Sequence, residues 1–250
     1  MVPQGFTVKL AETAQELHAA QRLRYEVFVE ELGGDGVLVD HMARLEQDRF
    51  DPFYDHMIIM PAGSTQVVGV YRMLPPNAAR AAGEYYSEAE YDLEPLRTSG
   101  RRLLELGRSC LHRDYRGGAV MHHLWAALAR YIVEHRIELL FGVASFVGTD
   151  TQALAAPLSL LHHRHLAPAD LRVRARAPFV AMDIINEQQL DRRAAMLEIP
   201  SLIKAYLRLG GCVGEGAFVD YRFNTTDVCL IMDTRQMSMR QNRIYAGAQA

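Results

Sequence analysis

The order of apolar and polar positions along the chain predicts its elements. Residues 6–11, "FTVKLA", alternate and read as a first strand. From Glu12 to about Leu32 the pattern is helical. Thr13 stands where a cap would, and Glu16, three residues on, completes a capping box. "GGDG" (33–36) stops that helix, and the charged, aperiodic stretch 37–54 reads as a loop with at most a helical turn. "HMIIMP" (56–61) and "QVVGVYRML" (66–74), separated by "AGST", suit a hairpin. Residues 77–100 form an irregular or helical connection. Then come a strand at "RRLLELGRSCL" (101–111), a helix over 119–136, a buried strand at "ELLFGVAS" (138–145) and a helix over 150–165. A strand is expected at 177–185, helices at 186–199 and 200–210, and two strands around the turn-rich "YRFNTT" (221–226). There is no repeat and no linker rich in Pro, Gly or Ser. The expectation is one mixed α/β (α+β) domain over 1–250.

Composition narrows the class. The chain has 250 residues, 49% hydrophobic and 23% charged, with a formal net charge of −3, which gives no basic field for nucleic acid. Cys110, Cys212 and Cys229 are odd in number and far apart, so free, buried thiols in a reducing cytoplasm are expected. The N-terminus lacks the features of a signal peptide, and no apolar run is long enough to span a membrane.

The first candidate for chemistry is "LLELGRSCLHRDYRGGAVMHHLW" (103–125). A strand that ends in a glycine-bearing turn and enters a helix presents backbone N–H groups and a positive dipole end to an anion. Arg113 and Arg116 add charge, and Gly117, Gly118 and Ala119 let a phosphate come close; a plain turn is the competing reading. The run resembles the acyl-carrier loop of the GCN5-related N-acetyltransferase (GNAT) superfamily and departs from it at Ala119 and Met121. Fewer amides suit a donor with a single phosphate, such as phosphopantetheine on acyl carrier protein.

Other motifs follow in one order: "LRYEVFVEELG" with Arg24 and Phe28, "LEQDRFDPFYDH" with Glu46, Asp48 and Asp51, "VVGVYRMLP" with Arg72, and "LELGRS" with Glu105 and Arg108. That order is similar to the acyl-homoserine-lactone synthases. A closer resemblance, over nearly the whole chain, is to the L-ornithine N-alpha-acyltransferases of bacterial ornithine-lipid synthesis. It rests on "FDPFYDH", "GVYRMLP", "ELGRSCLHRDYR", "LFGVASF" and "LIKAYLRLGGCVGEGAFVDYRFNTTDVCLIM".

The resemblance implies a GNAT-like sheet splayed into a V between its central strands, with a C-terminal extension from about residue 170. It implies transfer of a 3-hydroxyacyl chain from acyl carrier protein to the alpha-amine of L-ornithine, by direct attack on the thioester. No cofactor is held permanently. The 4'-phosphopantetheine arm of acyl carrier protein enters as donor, lined by Gly142 and Ser145. Glu105 is the expected base, Ser145 the group that protonates the thiolate, and His56 a further proton carrier. Glu46, Asp48 and Asp51 suit the amines of ornithine, and Arg24 or Arg72 its carboxylate. Each of these acids and arginines can equally serve as a structural ion pair. On a regular strand Glu105 and Arg108 point to opposite faces, so a bulge is expected near Gly107. His162 and His165 are spaced for a metal, but a solvated helix end is the plainer reading. Arg172, Arg174 and Arg176 form a basic edge for an acidic carrier or anionic lipid. The protein is expected in the cytoplasm, touching the membrane transiently. The rivals are an acyl-homoserine-lactone synthase and a non-catalytic acyl-carrier or lipid-binding module.

Overall fold

The computed structural model describes residues 5–117 and 120–236. In chain order the elements are β1 (Phe6–Leu10), α1 (Ala14–Arg24), β2 (Asp55–Pro61), β3 (Gly69–Leu74), α2 (Pro76–Ala82), β4 (Tyr91–Asp92), α3 (Glu94–Thr98), β5 (Leu103–Leu111), α4 (Val120–Glu134), β6 (Leu139–Val147), α5 (Ala155–His165), β7 (Arg174–Ala175), β8 (Phe179–Val180), α6 (Arg192–Glu198), α7 (Ser201–Arg208), β9 (Cys212–Val213), β10 (Ala217–Asp220) and β11 (Thr225–Asp233). The expected mixed α/β class holds, with a mostly antiparallel sheet. The chain divides into two compact units, and β5 contributes its first three residues to one and the rest to the other.

The first unit takes residues up to Gly83 and Leu106–Arg136. β1, β2 and β3 run antiparallel, and the second part of β5 lies beside β3. The capping box forms as expected: the Glu16 amide donates to the Thr13 hydroxyl, and the Glu16 carboxylate accepts the Thr13 amide. Ala20, Leu23, Val27, Ile58, Met60, Val67, Val70 and Cys110 form a buried core, with Phe28 packed against it. The expected helix over 12–32 changes character. Past Arg24 the chain continues as a π-helix over Tyr25–Glu31. Such widening is common beside functional sites, because it changes the angle at which side chains leave the helix.

The second unit takes Glu84–Glu105 and the described residues from Ile137 onward. β6, β11, β10 and β8 run antiparallel in that order, and β9 pairs with β11. Leu103–Glu105 pair in parallel with Leu139–Phe141. β4 pairs with β7 in a separate small sheet. The fully buried Tyr91 donates its hydroxyl to the carbonyls of Gly216 and Asp227, tying β4 to the strands below it. Of the strand expected at 177–185 only Phe179–Val180 pairs. The helix expected at 186–199 starts late, at Arg192, because the Asp191 carboxylate caps the amides of Arg193 and Ala194. Among the described residues no helix is long and apolar enough to cross a membrane.

Candidate functional site

In the first unit the loop 37–54 folds its acids back onto α1, β3 and β5. Arg24, at the last turn of α1, is fully buried; it donates Nε to Glu46 and Nη1 to Asp51 at 2.7 Å. Arg72, on β3, donates Nη1 to Asp48 at 2.8 Å and to Asp51 at 2.6 Å, and its guanidinium lies over the Tyr54 ring, 4.2 Å from the centroid. Arg108 donates Nε to Glu46 at 3.1 Å, and its Nη2 lies 3.7 Å from Asp48. Three expected acids and three expected arginines are thus brought into one network. Burial by itself would push Glu46 up, but Arg108, Arg24 and Arg72 outweigh it and hold the carboxyl at about 2. Burial also opposes ionisation of Asp51, and Arg24 and Arg72 more than reverse that, keeping it well below the usual carboxylate range. The cluster's charges therefore match one another. Its edge is formed by Asp48 and Arg108, whose side chains are 18% and 13% exposed.

Arg108 reaches the network because its backbone adopts a left-handed turn, φ 49°. The irregularity expected near Gly107 falls one residue further on. A non-glycine residue at positive φ is uncommon, and here it aims a long cation at Glu46 and over the Phe28 ring, 5.8 Å from the centroid. Phe28 itself is half-buried against the core.

His56 is buried, with Nε2 3.0 Å from the carbonyl oxygen of Asp51. A carbonyl only accepts, so Nε2 carries the hydrogen and Nδ1 is the basic nitrogen. Burial lowers its affinity for a proton, with Arg24 and Arg72 adding to the effect against Asp51. The balance favours the neutral imidazole. Sequence reasoning missed Gln21. It lies one turn before Arg24 on α1, is 4% exposed, and donates Nε2 to Asp51 at 2.9 Å. The signal was the three-residue spacing from Arg24, which puts both on one helix face.

Of the anion loop, Arg113 is exposed, while Arg116 donates Nη2 to Glu31 at 2.7 Å and Nε to the Leu111 carbonyl at 3.0 Å. Gly117 has φ 76°; Gly118 and Ala119 lie outside the described residues. Burial pushes the Cys110 thiol up to about 12, which makes it inert at neutral pH.

In the second unit Glu105 is 1% exposed. Its Oε2 accepts the Tyr86 amide at 2.9 Å and its Oε1 the Ser87 amide at 2.6 Å. Two backbone donors fix the carboxylate's direction. Glu105 lies opposite Phe141, and by alternation it shares a sheet face with the exposed Ser145. Gly142 is buried and belongs to the other face. His163 bonds the Ile185 carbonyl at 2.9 Å, and the His162 and His163 rings meet edge to face, so this helix end is anchored to its own unit. Arg172 bonds the Ala167 carbonyl, and Arg174 pairs with Glu215.

Residues 23–126 match the family model of the acetyltransferase (GNAT) domain. The fold is similar to that of FeeM, an N-acyl amino acid synthase from uncultured soil microbes, with a TM-score of 0.55 at 11% identity, over 96% of this chain and 97% of that one. It is also similar to that of the CoA-dependent acyl-homoserine lactone synthase BjaI, with a TM-score of 0.54 at 15% identity, over 98% and 89%. The class is therefore that of the GNAT-fold acyltransferases. Along almost its whole length the chain is 59% identical to the L-ornithine N(alpha)-acyltransferase of Rhodobacter capsulatus, covering 97% of this chain and 95% of that protein. It is 38% identical to the protein of the same name from Brucella abortus, over 97% and 89%. The chain belongs to the L-ornithine N(alpha)-acyltransferase family.

Proposed function

We propose that the protein transfers a 3-hydroxyacyl chain from acyl carrier protein to the alpha-amine of L-ornithine, giving lyso-ornithine lipid. The observation that carries this reading is the end-to-end identity of 59% with the Rhodobacter capsulatus protein of that name. The site chemistry agrees with it. A free alpha-amine has a pKa of roughly 8 and is mostly protonated at neutral pH. It must lose one proton before its nitrogen attacks the thioester carbonyl carbon. The C–N bond then forms, the C–S bond breaks, and a second amine proton leaves as the thiolate becomes a thiol.

Glu105 is the proposed acceptor of the first proton, directly or through water, because its carboxylate is held in one direction by two amides. Ser145, exposed on the same sheet face, is the proposed donor to the thiolate. The neutral imidazole of His56 is a further proton carrier. Arg108 and Asp48, at the edge of the ion network, suit the carboxylate and an ammonium of the amino acid, and Arg24, Arg72, Glu46 and Asp51 hold them in place. Phe28 borders the acyl path. Arg113, Arg116, Gly117, Gly118, Ala119 and Gly142 are the proposed contacts of the 4'-phosphopantetheine arm. The product's long chain implies transient contact with a membrane surface, without a span.

The test is a mass-spectrometric end-point assay. Purified protein is incubated with 3-hydroxyhexadecanoyl acyl carrier protein and a mixture of ornithine, lysine, glutamine and S-adenosylmethionine. N-acyl-ornithine is expected, and Glu105→Gln is expected to lose it while keeping the fold. A lactone would move the chain to lactone synthesis. No product with the carrier still bound would leave a binding module.

A further inference from the structure

Glu105 takes its direction from the Tyr86 and Ser87 amides, so whatever fixes those amides fixes the carboxylate. They open a short 3-10 turn, Tyr86–Ala89, within the second unit. The first amides of a helical turn find no partner inside it. Here the successive amides of Tyr85, Tyr86 and Ser87 are divided between two glutamates. Glu105 takes the second and the third. Glu88 takes the first: its Oε2 accepts the Tyr85 amide at 2.7 Å.

Glu88 closes the turn on itself. It stands at the third position, and its own amide donates to the Tyr85 carbonyl at 3.2 Å. Side chain and backbone thus join the same two residues in opposite directions, which holds the start of the turn. The Glu90 amide donates to the Ser87 carbonyl at 3.1 Å and continues it. The other Glu88 oxygen, Oε1, accepts from Arg97 on α3. Glu88 is the more enclosed partner, 14% exposed against 51% for Arg97. Water screens such a pair, so its value lies in holding the Glu88 carboxylate in place. The Tyr85 ring meets the Phe141 ring edge to face, with centroids 5.0 Å apart, and Phe141 lies across from Glu105 in the β5–β6 ladder. Tyr85 is therefore held at its ring by β6 and at its amide by Glu88.

We infer that Glu88 is a positioning residue for acyl transfer: by holding the Tyr85 amide it aims the next two amides at Glu105 and keeps that carboxylate in one direction. Arg97 is its brace. The inference rests on the reading of Glu105 as the base. A displaced reacting group costs up to about a hundredfold in rate, even when the change that displaces it lies far from the chemistry. Glu88 acts only through the turn, so its loss should change turnover and leave the binding of ornithine alone.

The experiment measures steady-state kinetics with 3-hydroxyhexadecanoyl acyl carrier protein and ornithine. It uses the full chain as wild type, Glu88→Ala, Glu88→Gln, Arg97→Gln and Glu105→Gln, each with its Tm. Hydrogen exchange at the Tyr86 and Ser87 amides is followed in parallel. Glu88→Ala should lower kcat by roughly tenfold and leave KM for ornithine within about twofold of wild type. Exchange at both amides should speed up. Glu88→Gln keeps an oxygen for the Tyr85 amide and should restore most of the turnover and the protection. Arg97→Gln should lower kcat by up to about fivefold, the effect of loosening one exposed pair. A lower Tm with kcat unchanged would make Glu88 purely structural and would overturn the inference. Equal losses of turnover in Glu88→Ala and Glu88→Gln, or unchanged exchange, would overturn it as well. Should Glu88→Ala fail to fold, Arg97→Gln decides: faster exchange together with lower kcat supports the inference, and any other result overturns it. Glu105→Gln separates the two readings. If it keeps full turnover, the base assignment fails and the positioning role with it. If it abolishes turnover while Glu88→Ala leaves kcat unchanged, the positioning role alone fails.

Discussion

Arg24 is the residue on which the charged network turns. It is fully buried and bonds both Glu46 and Asp51. Removing one partner of a buried pair strands the other charge, at a cost of about 3–5 kcal/mol. Arg24→Met should therefore lower the unfolding free energy by that amount, read as an earlier midpoint in a urea series. If Arg24 only held a substrate carboxylate, stability would stay level and only KM would rise, so the two readouts separate the roles. The network also sets an acid limit. The folded carboxyl of Glu46 titrates at about 2, against an ordinary value of 4.5. A carboxylate held low stabilises the fold above its unfolded value and loses that stability as pH falls towards its folded value. The loss should run from about pH 4.5 downward, and Glu46→Gln, less stable at neutral pH, should show less of it. His56 acts in a higher window. Burial lowers its proton affinity below the ordinary 6.5. Below that pH the unfolded chain takes up a proton that the folded chain refuses, so stability falls with pH. His56→Gln keeps an N–H for the Asp51 carbonyl and should flatten that part of the Tm–pH curve. An unchanged slope would place the titration elsewhere.

At the scale of elements, what the sequence made legible was periodic, and what it hid was conditional on tertiary partners. The strands 6–11 and 56–61, the helix after Thr13 and the strand carrying Glu105 follow from alternation, helical spacing and a capping pair. The π-helical continuation past Arg24 does not, because its residues keep an apolar face under either winding. Nor does the short β8: its pairing with β10 depends on Gly216, where any Cβ would lie 2.1 Å from the Phe179 ring. Gly216 has φ 77°, and its carbonyl accepts the Tyr91 hydroxyl. Gly216→Ala meets a strained backbone and a ring at once, and should cost about 2–3 kcal/mol. Thr13→Ala, by contrast, removes one cap and should cost about 1 kcal/mol. The comparison is made in one urea series; equal losses would mean that Phe179 moves aside freely. The site was legible in part for the same reason. Arg24, Glu46, Asp48, Asp51, Arg72 and Arg108 could be named from motif order, and ion pairing of Arg24 or Arg72 with the acids is one reading of the sequence, but which arginine meets which acid needs loop 37–54 folded back on α1. Gln21 went unnoticed because its spacing from Arg24 marks only a shared helix face, and the role of its amide shows once Asp51 is in place.

At the scale of the molecule, the proposed donor sets a condition: on that reading a chain with a net charge of −3 has to recognise an acidic carrier protein. Long-range attraction does not favour the encounter, so recognition must rest on local positive charge. Many of the arginines are already engaged. Arg24, Arg72 and Arg108 face the acidic network, Arg116 pairs with Glu31, Arg174 with Glu215, and Arg101 with Asp233. Arg113 is exposed at the tip of the turn before α4, three residues from Arg116. On the proposed reading this turn meets the phosphate of the pantetheine arm, and Arg113 would supply charge at that point. Arg113→Glu should therefore raise KM for the acyl carrier protein substrate by roughly tenfold, the loss of one charge-assisted contact of about 1.4 kcal/mol, with kcat little changed. The wild-type KM should rise with ionic strength, and that dependence should flatten in the variant, since the screened term has been removed. A fall in kcat at constant KM would instead place Arg113 at the reacting thioester. An unchanged KM at every salt concentration would move the docking surface to the basic edge of the second unit, where Arg172 and Arg176 are the residues to reverse next.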